Sequence, residues 1–149
     1  MGVSAAWRRA AARLRAPGGA RAYVILPEHI SKEPLGPVVR RGDDEWFMTV
    51  RWVLFNLIAA EENGVTQANV ETAMTEARGP SMRRTLRYQK EYAKALGLRE
   101  DWMQRSVKAA GNYGEMFERN LGEKSALRMP RGANRLWTKG GLMYAPPLH

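Results

Sequence analysis

Two acidic clusters offer the first chemistry in this chain, Asp43-Asp44-Glu45 and Glu61-Glu62. Paired carboxylates can move protons or hold cations. Both clusters fall at the ends of a helical pattern, and no second ligand set stands at suitable spacing. They read as helix caps and solvated ends. Lys139-Gly140-Gly141 sets glycines beside a cation, as a phosphate cradle does. It lacks the flanking residues of a P-loop and opens no helix, so a turn after a helix end accounts for it. Arg83, Arg84, Arg87 and Lys90 form a basic helix face interleaved with Tyr88 and Tyr92. Single-stranded nucleic acid is bound by such mixtures of cations and aromatics. Glu91 breaks this run, and a solvated amphipathic face accounts for it better. Trp46, Trp52, Trp102 and Trp137, with Tyr113, Phe117 and Tyr144, read as core and interface anchors rather than as a stacking site.

The chain has no cysteine, which excludes disulfides, thiolate catalysis and Cys-based zinc sites. Its two histidines, His29 and His149, are far apart. They support neither a metal site nor a Ser/His/Asp constellation. No catalytic residue, metal ligand or cofactor is therefore assigned, and the chain is not read as an enzyme.

The elements that position these residues follow from periodicity and punctuation. At 149 residues the chain is one domain's worth, able to bury most of its apolar surface. The longest apolar-rich segment, Trp46–Ala60, contains Arg51 and Asn56, so it reads as a buried helix and not a membrane span. Tyr23–Leu26, Ile30–Glu33 and Leu35–Arg40 read as extended, since Pro34 and Pro37 disfavour helix and Val38-Val39 favour strand. Asp43 or Asp44 caps a helix that ends at Asn63-Gly64. Trp46, Phe47, Val50, Val53, Leu54, Leu57, Ile58 and Glu61 recur along it at steps of three and four, a wide stripe. Thr66 caps a second helix to about Ala77, before Gly79-Pro80. Ser81–Leu96 and Arg99–Ala110 follow as helices, closed by Gly97 and Gly111. Trp102, Met103, Ser106 and Val107 share one face of the latter. Tyr113–Asn120 is a short helix with Met116 and Phe117 inward. Gly122–Gly132 is a loop, Ala133–Thr138 a helical turn or two, and Leu142–His149 an extended tail.

The net charge is +9, but Arg8, Arg9, Arg13, Arg15 and Arg21 all precede Tyr23, and no acid precedes Glu28. Those five arginines are more than half of the excess, so the basicity belongs largely to residues 1–22. Arginines interrupt any apolar run there, so the segment does not read as a secretory signal. It has the composition of an organelle presequence. An out-of-frame or internal start explains it better, which would leave the chain cytoplasmic if made as written.

From Tyr23 onward, several stretches carry a resemblance. They are LPEHISKEPLGPVVRRGDDEW (Leu26–Trp46), GVTQANV (Gly64–Val70), GNYGEMFERNLG (Gly111–Gly122) and RGANRLWTKGGLMYAPP (Arg131–Pro147). Together they resemble the last third of the periplasmic solute-binding proteins of amino-acid ABC transporters, most of all the general L-amino-acid binders. Residues 1–22 do not match. The resemblance implies a truncated piece of the α/β type II binding-protein fold, mainly α with two or three short strands. It implies a hinge crossing at Ser31, Lys32, Glu33, Pro34, Leu35 and Gly36, with the strand Leu35–Arg40 rejoining lobe one. Residues 23–149 would be that hinge strand plus the helical cap of lobe one.

The family's implied partners are an L-amino acid and an ABC permease, and its compartment is the periplasm. Its ligand contacts lie upstream of Tyr23, so no binding residue carries over. The edge of Leu35–Arg40 and the stripe on Asp43–Asn63 would then lack their sheet. Such surfaces seek partners, and self-association is the expected result. The runner-up readings are a self-associating helical module without ligand and, disfavoured, a basic nucleic-acid binder.

Overall fold

A computed structural model describes residues 35–76 and 79–147, with only the backbone at Ser81. The helices among them are α1 (Asp44–Glu62), α2 (Val70–Glu76), α3 (Pro80–Ala95), α4 (Trp102–Ala110) and α5 (Tyr113–Asn120). Two 3-10 turns follow, Gly132–Asn134 and Trp137–Lys139. No described residue lies in a strand, and β pairing is limited to isolated bridges such as Leu136 with Met143.

The central helix is α1. The Asp43 carboxylate accepts a hydrogen bond from the Trp46 amide at 3.1 Å and caps it, with Asp44 and Glu45 suited to the dipole in its first turn. Its other end closes through two backbone bonds, Val65 N to Ala60 O at 2.8 Å and Gly64 N to Glu61 O at 3.1 Å. Gly64 makes that closure possible, because its φ of 68° is left-handed. The end of α3 repeats the device, with Gly97 at φ 64° and Leu98 N bonded to Ala93 O at 2.8 Å.

α1 packs on α4 and α5, and α2 packs on α4. One apolar cluster joins Leu57 and Ala60 of α1 to Val65, Val70, Met82 and Val107. A second joins Ile58 to Leu136, Met143 and Ala145 of the C-terminal tail. A third places Ala93, Trp102 and Met103 beneath Trp52 and Val53. Each fully buried Leu, Ile, Val or Met among them contributes roughly 1.5–3 kcal/mol.

Three expectations change. α2 begins at Val70, later than a cap at Thr66 implies. Thr66 and Asn69 instead close a turn on each other, Thr66 N to Asn69 Oδ1 at 2.7 Å and Asn69 N to Thr66 Oγ1 at 3.2 Å. Of the expected strand Leu35–Arg40, Leu35 makes only an isolated bridge and residues 36–40 lie in no strand, since Pro37 has no N–H to donate to a ladder. The apolar stripe of α1 is buried only over its second half. Trp46 and Phe47 remain 55% and 45% exposed, and Val38 is 95% exposed.

Candidate functional site

Asp43 acts as a cap, and Asp44 and Glu45 are exposed in the first turn of α1. Glu61 and Glu62 part ways. Glu62 is exposed and its Oε1 accepts from Trp137 Nε1 at 3.3 Å. Glu61 is held in a bidentate pair with Arg131, at 2.9 and 3.0 Å. The Arg131 and Glu61 side chains are only 15% and 12% exposed, so this pair is largely shielded from water.

Sequence reasoning singled out Glu61 but missed Arg131. The two are distant in sequence, and no local pattern announces the pairing. Gly114 is the one trace of it, since a Cβ there would lie 2.9 Å from the Glu61 carboxyl group. Arg131 also donates to the Asn134 carbonyl at 2.7 Å and stands over the Tyr113 and Phe117 rings at 5.5 and 5.2 Å. Burial pushes the Tyr113 phenol above its ordinary range.

The start of α5 is a second organised node. Asn112 Oδ1 accepts from Glu115 N at 2.9 Å, and Glu115 Oε2 accepts from Asn112 N at 2.8 Å. The same Oε2 accepts from Gln67 N at 3.0 Å, while Asn112 Nδ2 donates to Val65 O at 2.8 Å. Neither node presents a carboxylate to a substrate. Among the described residues no three His, Cys, Asp or Glu side chains gather to hold a metal ion. No described helix is long and apolar enough to cross a membrane.

The basic face of α3 keeps Arg83, Arg84 and Arg87 exposed, while Lys90 pairs with Glu100 at 3.1 Å. Its aromatics are occupied: Arg87 stands over Tyr88, and Tyr92 packs edge-on against Trp52 at 4.7 Å. The Lys139-Gly140-Gly141 segment is a chain reversal. Gly140 has φ 74°, and a Cβ on Gly141 would lie 1.9 Å from the Arg135 carbonyl oxygen. Of the expected hinge residues, Ser31, Lys32, Glu33 and Pro34 lie outside the described residues, and Leu35 and Gly36 are exposed.

The aromatic residues do converge. A cleft of about 270 Å³ lies between the second half of α1, α3, α4 and the tail. Trp52, Phe55, Trp102, Trp137 and Tyr144 line it, with Arg84 among its polar residues. Trp102 is buried there, and its Nε1 finds no acceptor.

No protein-family model matches the chain. It is 52% identical over 124 residues to the glutamate/glutamine/aspartate/asparagine-binding protein BztA of Rhodobacter capsulatus, covering 83% of this chain and 37% of that protein. It is 52% identical over 128 residues to the general L-amino acid-binding periplasmic protein AapJ of Rhizobium johnstonii, covering 85% and 37%. A solved structure of an ABC transporter periplasmic binding protein from Brucella ovis, with glutathione bound, superposes with a TM-score of 0.73 at 48% identity. That match covers 83% of this chain and 39% of that one. The chain thus spans well under half the length of the curated relatives it matches. Its sequence and its helical architecture place it with the C-terminal part of the amino-acid ABC transporter solute-binding proteins.

Proposed function

We propose that this chain is the C-terminal portion of a solute-binding component that captures L-amino acids for import through an ABC permease in the periplasm. The observation that carries this is the match to BztA and AapJ at 52% identity, joined to the Brucella ovis superposition at a TM-score of 0.73. In this reading residues 23–149 are the matching unit, residues 1–22 stand apart, and Ser31–Gly36 cross the hinge. The helices α1 to α5 form a rigid cap and make no ligand contact. The relatives' names describe binding proteins, and the reading is accordingly of a binding protein without catalysis.

A chimera tests this. The part of BztA that precedes the match is joined to residues 23–149 of this chain, and glutamate, glutamine, aspartate and asparagine are titrated calorimetrically. Saturable binding of at least one is expected. A chimera that is monomeric and melts cooperatively, yet takes up none of them, would sink the reading.

A second reading rests on a separate observation. Leu35, Val38, Trp46, Phe47 and Met48 are all exposed along the start of α1 and the segment before it. Large apolar side chains left exposed in this way favour association. By this reading the isolated chain self-associates through that face, and sedimentation equilibrium should show a dimer or larger species. A monomer across the accessible concentration range would exclude it.

A further inference from the structure

The aromatic cleft plays no part in either reading above, yet it has the makings of a small-molecule site. Its volume of about 270 Å³ lies near the lower end of ordinary ligand pockets. Two edge-to-face aromatic pairs from different elements line it. Trp52 and Phe55 come from α1, with centroids 5.6 Å apart at 82°. Trp137 and Tyr144 come from the tail, 6.0 Å apart at 74°. Trp137 and Tyr144 are more than half exposed, so aromatic surface faces water that a flat ring could cover. Trp102, itself buried, completes the apolar wall behind them.

The charges decide what kind of ring. Aromatic walls alone would welcome a cation. Arg84 stands at the cleft, however, exposed and without an ion pair among the described residues. Arg83 and Arg87 lie beside it and raise the positive potential. Glu62 is the sole acid of the lining, and Trp137 Nε1 already engages it. With three arginines against this one carboxylate, an anionic head group is favoured over a cationic one.

We propose that this cleft binds a small aromatic carboxylate, its ring among the Trp52–Phe55 and Trp137–Tyr144 pairs and its carboxylate paired with Arg84. The site is distinct from the amino-acid capture proposed for the whole protein, and its test does not depend on that capture.

The probe is indole-3-acetate, titrated calorimetrically into the full chain, with tryptamine as its cationic counterpart. Saturable binding of indole-3-acetate is expected, with tryptamine weaker by about tenfold or more. Arg84→Ala and Trp137→Ala should each weaken binding by about tenfold, while Lys124→Ala, outside the lining, should not. Arg84 and Trp137 are exposed, so unchanged melting curves should show that both variants still fold. Three outcomes would overturn the proposal: no saturation, equal affinity for tryptamine, or full affinity in folded Arg84→Ala.

Discussion

Arg131 gathers four residues around one guanidinium. It holds Glu61 of α1, the Asn134 carbonyl, and the faces of Tyr113 and Phe117 in α5. Because both charges are largely shielded, removing one leaves the other poorly solvated. Arg131→Ala should lower the unfolding free energy by about 3–5 kcal/mol in urea titrations. Arg131→Lys should recover little of that, since a single ammonium cannot reproduce the bidentate fork. Tyr113 adds a pH dependence. Burial raises its folded pKa, so the folded state keeps the proton longer than the unfolded chain. Its contribution is whole below the ordinary phenol pKa of about 10 and is lost as pH rises through the folded value. Stability followed by denaturant from pH 9 to about 11 should fall more steeply in the parent chain than in Tyr113→Phe. Equal slopes would contradict the assignment.

The elements owe their boundaries to short motifs, and here the sequence is most readable. Asp43 before α1, Gly64 and Gly97 after α1 and α3, and the Asn112–Glu115 box before α5 all stand where local chemistry requires them. Asn112 does more than a cap, because its Nδ2 also fastens the buried Val65 carbonyl. Asn112→Ala should therefore exceed the usual capping loss and reach about 2–3 kcal/mol. Thermal melting beside Asn120→Ala, which changes an exposed side chain bonded within its own helix, would measure the difference. The tail makes a sharper case. A Cβ on Gly141 would meet the Arg135 carbonyl, which is backbone and cannot swing aside. Gly141→Ala should break the Leu136–Met143 closure and expose Met143, at a cost of about 3 kcal/mol or more. Hydrogen exchange at the Met143 amide, which donates to Arg135 O at 3.0 Å, should accelerate in step.

At the scale of the whole molecule, the outstanding feature is the divided burial of α1. Leu57, Ile58 and Ala60 are core, while Trp46, Phe47 and Met48 are exposed on the same helix. One helix thus carries both the centre of the apolar core and a surface suited to a further partner. If the isolated chain associates through that surface, Trp46→Glu with Phe47→Glu should shift it to a monomer in sedimentation while leaving the helical signal intact. A double variant that stays oligomeric would place the contact elsewhere.

The sequence by itself determined what is local. It determined the helices and their stops within a few residues, the capping role of Asp43 though not the shielded pairing of Glu61, and the kinship carried by runs such as GNYGEMFERNLG and LWTKGGLMYAPP. Those depend on neighbours a few positions apart, through backbone conformation and single-turn hydrogen bonds. Tertiary structure decided the rest. The Glu61–Arg131 pair, the Asn56 amide bonded to Met103 O and Ser106 Oγ, and the aromatic cleft all unite residues far apart in sequence. Only packing brings such groups together, and a periodicity shows which residues face inward without showing what they will meet. The same holds for the apolar stripe of α1. Its spacing declared a face to be covered, and only the fold showed which half of that face this chain covers itself.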